Sequence, residues 1–241
     1  YYAWLGWSYF GIEQYEAGER YLLRALKIGE ETQSNEVVAY ACTWYSWTLT
    51  TMGRFDEAIT FGERAVQLAR DYDLDTYLHF KPRAGVANAY WYRGDRLKSL
   101  EQGKKLEAFG KSQGHIPALT FGYLEIGASC LSDGDFKEAL YWFERIVDEQ
   151  KDFIYYHAAL LLQGLTNFYI GEYEKAENVF EDALRYLQEN SRFPWLATPG
   201  ELFLGGVWVA RGRMKDGMQK ILLVRKQLHK TGYKFFYTVS E

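Results

Sequence analysis

The strongest constraint on how this chain folds is a column of small residues that returns about every forty positions. Glu13, Gly53, Gly94, Gly134, Gly171 and Gly212 head the same local pattern at spacings of 40, 41, 40, 37 and 41 residues. Seven residues before each anchor stand Gly6, Ser46, Ala87, Gly127, Gly164 and Gly205. Five after it stand Gly18, Ala58, Ser99, Ala139, Ala176 and Gly217. Helices approach closely only where facing side chains are small, so small columns on both sides of a glycine turn mark the crossing of an antiparallel helix pair. Large residues fill the space beside them, with Tyr15, Phe55, Phe136, Tyr173 and Met214 two positions after the anchor. The period lies in the range of helical solenoids, and strand-type alternation persists nowhere.

The expected fold is all-α, an α-solenoid of about six antiparallel helix pairs forming one domain. The units run over 1–33, 34–74, 75–114, 115–151, 152–193 and 194–233, and 234–241 opens a seventh. Ser34 or Asn35 can cap the first helix of unit two by accepting from free backbone amides. An interior proline removes a backbone bond and clashes with the preceding turn, so Pro82 places the first helix of unit three near Phe80. Gly114 followed by Pro117 ends one helix and starts the next. Asp152 is a candidate cap for unit five. The stretch Ser191 to Gly200 reads as a loop, with Pro199 beginning the next helix, and the second helix of unit six runs to about Thr231. The chain begins at Tyr1 without Met and stops as a seventh unit begins, which reads as a fragment of a larger protein. Its ends carry no polar cap, so Phe235, Phe236 and Tyr237 are expected to fold back on unit six or to meet a second copy end to end.

The turns at Gly53 to Ala58 (GRFDEA), Gly134 to Ala139 (GDFKEA) and Gly171 to Ala176 (GEYEKA) resemble the tetratricopeptide repeat. GDRLKS at Gly94 and GRMKDG at Gly212 are weaker versions, and Glu13 stands where the first glycine should be. The family usually closes its second helix with proline. Here Glu30, Arg70, Lys111, Lys151, Gln188 and His229 take that place, so the helix should run on by a turn or more. The resemblance implies a right-handed superhelix. The long repeats, and above all Gly200 to Ile221, are similar to the repeat regions of MalT-like activators and of ATPase-coupled bacterial adenylate or guanylate cyclases, which implies a regulatory region of a signalling protein.

Composition narrows the function. Six units use up 241 residues and leave no space for a catalytic domain. A formal charge of −4 with no basic stripe argues against a nucleic-acid partner. No apolar run approaches the roughly 18 residues of a membrane span, and no leader is recognisable. Cys42 and Cys130 lie on first helices two units apart, too far for a disulfide, and read as buried thiols of a cytoplasmic protein. His79, His115, His157 and His229 lack metal-site spacing, no phosphate-binding glycine motif is present, and neither catalytic residues nor a cofactor is expected.

The first helices carry the informative pattern. Two before, one after and four after the small residue stand Trp4, Trp7 and Phe10; Trp44, Trp47 and Thr50; Gly85, Asn88 and Trp91; Glu125, Ala128 and Leu131; Leu162, Leu165 and Phe168; Phe203, Gly206 and Val209. Such offsets hold one helical stripe. Eight of these eighteen are aromatic and only Glu125 is charged. Two readings stay open: core packed between neighbouring helices, or an apolar trough for a partner helix or peptide, from another protein or from another domain of the same chain. On the second reading the partner-binding residues are Trp4, Trp7, Phe10, Trp44, Trp47, Asn88, Trp91 and Phe168. The resemblance also implies an alternative, a small-effector sensor, whose polar groups would be Asn88, Glu125, Gln163 and Asn167. One familiar mode of the family is excluded: of the clustered basic and amide positions that grip a terminal carboxylate in chaperone-binding relatives, only Lys81 and Asn88 are filled.

Overall fold

The computed structural model describes residues 1–149, 152–190 and 194–234. Phe235, Phe236 and Tyr237 lie outside the described residues. Among the described residues, twelve helices follow one another and there is no strand. They are α1 (Tyr2–Gly11), α2 (Tyr15–Glu31), α3 (Asn35–Thr51), α4 (Phe55–Asp71), α5 (Thr76–Arg93) and α6 (Arg96–Gln113). The second half holds α7 (Ile116–Ser132), α8 (Phe136–Glu149), α9 (Phe153–Tyr169), α10 (Tyr173–Asn190), α11 (Pro194–Ala210) and α12 (Met214–Thr231). Apart from α8, whose described part has 14 residues, the even helices run as long as expected where no proline stops them; α2 and α4 have 17 residues and α6, α10 and α12 have 18.

The anchor residues make the turns. Gly53, Gly94, Gly134, Gly171 and Gly212 have φ between 74° and 87°, the left-handed region that a Cβ disfavours. Glu13 adopts it too, at φ 58°. On either side of these turns the small columns meet. A Cβ on Gly6 would lie 2.5 Å from Leu22, on Gly127 2.6 Å from Phe143 and on Gly205 2.8 Å from Ile221. In units two and three a glycine replaces that large residue, and the first helix of the next unit fills the gap. A Cβ on Gly62 would stand 2.5 Å from Val86 of α5, and one on Gly103 3.0 Å from Glu125 of α7. Arginines just past the turn tie units two and six to the unit before. Arg54 binds Glu19 at 2.5 Å, and Arg213, with Arg211, binds Glu177 at the equivalent position.

Several caps match the sequence. Ser34 accepts from the Val37 amide, and Asp152 accepts from the Tyr155 amide at 3.0 Å. Gly114 ends α6 in the left-handed conformation. Neither proline begins a helix as expected. α5 starts at Thr76, where the Asp75 carboxylate accepts from the Leu78 amide at 2.9 Å, so Pro82 lies inside it. α11 starts at Pro194 and contains Pro199. Each helix forgoes the backbone bond a residue there would donate, to the carbonyls of Leu78 and Trp195 respectively, and both prolines are buried. The packing of the helices outweighs the local penalty. Cys42 is buried, Cys130 is half-buried and both are free thiols. No described helix is long and apolar enough to cross a membrane.

Repetition also closes the superhelix. Unit six comes round to unit one, and the Thr198 hydroxyl donates to the Glu13 carboxylate at 3.1 Å. Gln227 donates to both Glu13, at 3.2 Å, and Thr198, at 3.0 Å. Rings reinforce the seam, Trp195 against Phe10 at 5.8 Å and Tyr233 edge-on to Tyr15 at 5.6 Å.

Candidate ligand cavity

Closure turns the inner face of the first helices into the wall of one cavity of about 600 Å³. That is the size range of sites for small ligands or a few inserted side chains. Its wall is built from α1, α3, α5, α7, α9 and α11, with Phe136 and Gly134 at one turn and Tyr233 from beyond α12. Among the described residues, Lys81 is the only charged side chain in the lining.

The aromatic stripe divides between the two readings open in the sequence. Trp7, Phe10, Trp47, Asn88 and Trp91 line the cavity. Trp44, Trp4 and Phe168 do not. Trp44 is buried between helices, its ring stacked on Trp7 at 3.8 Å and 24°. Trp4 lies on the outside, 48% exposed, against Tyr40 and Tyr77. Phe168 packs at the turn after α9, beside Tyr169 and Tyr173. The superhelical twist rotates successive first helices, so equal offsets do not reach equal depth in every unit.

Trp47 shows how local chemistry sets the wall. It lies flat against α5 because residue 85 is glycine; a Cβ there would come 2.9 Å from the indole nitrogen. The same N–H donates to the Lys81 carbonyl at 3.4 Å. The Lys81 ammonium sits 4.3 Å from the centre of the Trp47 ring and 5.4 Å from that of Trp44. It donates to the Tyr155 hydroxyl at 3.3 Å. Desolvation by these rings lowers its pKa to about 8, against a small opposing pull from Asp152. Across the cavity Trp91 is fixed by donating its indole N–H to the Ser132 hydroxyl at 3.0 Å.

Behind this wall lies a polar chain. Ser99 donates to Glu125 at 2.8 Å, and Asn88 bonds both Glu125 and Tyr92, which also bonds Tyr233. Glu125 is 1% exposed, and burial pushes its carboxyl up to about 8 despite the Ser99 and Asn88 bonds. Burial thus favours its protonated form. Burial likewise lifts Tyr92 to about 12.

The four polar residues of the sensor alternative are not brought together. Only Asn88 reaches the cavity. Glu125 is sealed behind it, and Asn167 is fully buried with its side-chain amide donating to the Gln163 carbonyl at 2.9 Å. The wall also contains residues the stripe did not include, among them Lys81, Phe121, Tyr155, Leu196 and Pro199. Their signal was available in the sequence. Continuing the same stripe four and seven residues further toward each helix start gives Lys81, Phe121, Ala158 and Pro199, then Tyr155 and Leu196. Trp195 carried no such mark, because it stands one position off that stripe.

Residues 39–72 match the family model of the tetratricopeptide repeat. A comparison with curated proteins gives no match. Among solved structures, a Rap protein complexed with Competence and Sporulation Factor superposes with a TM-score of 0.73 at 15% identity, over 99% of this chain and 71% of that one. NprR in complex with its cognate peptide NprX gives 0.73 at 14% identity, over 99% and 69%. A Signal Transduction ATPase with Numerous Domains from Pyrococcus horikoshii, which has a tetratricopeptide repeat sensor, gives 0.56 at 19% identity, over all of this chain and 38% of that one. At these identities the likeness is one of fold.

Proposed function

We propose that this tetratricopeptide-repeat solenoid is a non-catalytic peptide-binding module that regulates a larger, cytoplasmic bacterial signalling protein. The observation that carries the reading is the apolar cavity inside the ring of first helices, walled by Trp7, Trp47, Trp91, Phe121 and Trp195. Buried aromatics dominate the energetics of such contacts. A cavity of about 600 Å³ takes a few side chains of a bound segment, not a whole helix. NprR, which shares the fold, is described in complex with its cognate peptide, and that supports a peptide as occupant. The six units act as one domain, and the bound segment comes from another protein or from elsewhere in the same chain.

The second reading is a small-effector sensor within a signalling ATPase. The size of the cavity and the likeness to the archaeal sensor region favour it. The dispersal of Asn88, Glu125, Gln163 and Asn167 counts against a polar effector.

Trp91 is the residue to test, because it is half-buried and faces the cavity, whereas Trp47 also supports α5 at Gly85. The experiment pans a phage-displayed heptapeptide library against the protein and measures enriched peptides on the parent and on Trp91→Ala. Enrichment of apolar peptides that lose about tenfold or more in affinity on the variant, with helix content unchanged, is the expected result. Peptides that bind both proteins equally would place binding elsewhere. Failure to enrich any peptide would favour the effector reading.

A further inference from the structure

An apolar occupant makes no use of the amine in the cavity wall. Lys81 has its stem on α5 and its head between Trp47 of α3 and Tyr155 of α9. Trp7, Trp44, Trp47, Phe80 and Tyr155 all have ring centres within 6.0 Å of Nζ, and their faces fix its position. Nζ donates to the Tyr155 hydroxyl at 3.3 Å. Among the described residues no carboxylate pairs with it, and Asp152, the acid that influences it, caps α9 by accepting from the Tyr155 amide. Burial penalises the charged form alone, which is why the pKa falls to about 8. At pH 7 roughly a tenth of such amines carry a free lone pair, against about four in ten thousand for a lysine in water. Burial also holds the Tyr155 phenol in its protonated form, with a pKa well above the ordinary value. A methionine would fill the same space without burying an amine. A neutral amine beside a phenol in an apolar cavity is equipped to add to a carbonyl group.

We infer that the cavity captures an apolar aldehyde covalently, its carbonyl carbon forming an imine with Lys81 Nζ while its apolar body lies on Trp47, Phe121 and Leu165. This rests on reading the cavity as a ligand site, and adds the reactive group of the occupant and the bond that holds it. The step balances with the aldehyde as the sole co-reactant. The Nζ lone pair attacks the carbonyl carbon, the C=O π pair moves to oxygen, and one nitrogen proton passes to that oxygen to give a carbinolamine. The carbinolamine hydroxyl then takes the Tyr155 proton and leaves as water while the C=N bond forms. The last nitrogen proton returns to the Tyr155 oxygen. A hydroxyl 3.3 Å from Nζ is in reach of both transfers. The rings around Nζ limit the access of water that would hydrolyse the imine.

The test incubates the protein at neutral pH with 2-naphthaldehyde and sodium cyanoborohydride, which reduces an imine to a stable secondary amine, and follows the labelled lysines over time by peptide mass spectrometry. Lys81 is expected to be labelled about tenfold or more faster than the exposed Lys27 and Lys215. An excess of 2-naphthalenemethanol, which has the same apolar body and no carbonyl, should protect Lys81 and leave Lys27 and Lys215 unaffected. Lys81→Met should lose the label and still bind the alcohol in isothermal titration. Tyr155→Phe should bind the alcohol as the parent does and form the imine about tenfold more slowly; an unchanged rate would overturn the part given to Tyr155. Labelling of Lys81 no faster than of the exposed lysines, with the alcohol still bound by the parent, would overturn covalent capture and leave the cavity standing as an apolar site. The same labelling with no binding of the alcohol would remove the cavity reading as well. Labelling and protection are both read on the parent, so neither result depends on a variant that folds.

Discussion

Two of the seams between units are built on opposite principles. Between α6 and α7 the helices touch through backbone, at Gly103, Gly110 and Gly122; a Cβ on Gly122 would lie 2.6 Å from the Glu107 amide nitrogen. Between unit six and unit one the contact among the described residues includes the hydrogen bonds of Glu13, Thr198 and Gln227 and two ring pairs. Close-packed interiors resist opening because any separation forfeits many small contacts at once. A seam made of a few hydrogen bonds opens at lower cost. The closure seam, at the edge of the cavity, is thus where the ring would part to admit a ligand.

Each seam contains one buried carboxyl, and these give the sharpest tests of the comparison. Glu125, in the tight seam, keeps its proton up to about pH 8, whereas a free glutamate releases it near 4.5. Between those values the folded chain binds more protons than the unfolded one. Stability is therefore full below the lower value and falls as pH rises through the upper one. At about 1.4 kcal/mol per unit of displacement the loss is on the order of 5 kcal/mol. Glu125→Gln imitates the protonated side chain, so it should match the parent in urea melts at pH 4.5 and exceed it by up to about that amount at pH 9. Parallel pH profiles for the two proteins would show that water reaches Glu125 and that the seam is not dry.

The glycines come next. Gly122→Leu should destabilise the fold by about 3 kcal/mol, because the atoms it meets are backbone and cannot turn aside. Gly164→Leu, which meets only the ring of Phe180 at 3.1 Å, should cost less, about 1 to 3 kcal/mol. Thermal melts that rank the two the other way would break the distinction between backbone and side-chain contact.

The tight seams were legible in the sequence and the closure was not. A helix crossing needs small residues at fixed offsets from its turn, so Gly127 and Gly164 declare themselves wherever the period is seen. The helix caps were readable for the same local reason at Ser34 and Asp152. Pro82 and Pro199 misled because their penalty is local while the helices that hold them are stabilised by distant packing. Closure depends on the rotation from one unit to the next summed over the whole array, and no single unit encodes that sum. The division of the aromatic stripe followed from the same rotation: Trp7 and Trp47 reached the cavity, while Trp44, on the same stripe, was buried behind them. Lys81 stood out only as a filled position. What made it significant was the ring cage assembled from α1, α3, α5 and α9.

One sequence irregularity did point at the closure, and it supplies the test with the smallest expected effect. Glu13 is the only turn anchor that is not glycine, yet it adopts φ 58°. A residue with a Cβ gives up about 1 to 2 kcal/mol in that conformation. The side chain that carries the strain is the one that accepts from Thr198 and Gln227. Glu13→Gly removes strain and latch together, so the fold should change in stability by less than about 1 kcal/mol. Glu13→Ala removes the latch but keeps the strain, and should be less stable than the glycine variant by about 1 to 2 kcal/mol. If the seam is what closes the ring, both variants should expose α11 and α12 to faster amide hydrogen exchange and leave α6 and α7 as slow as in the parent. Unchanged exchange in α11 and α12 would mean that the ring pairs Phe10–Trp195 and Tyr15–Tyr233 close the superhelix without Glu13, and that the difference between the two seams is smaller than their chemistry suggests.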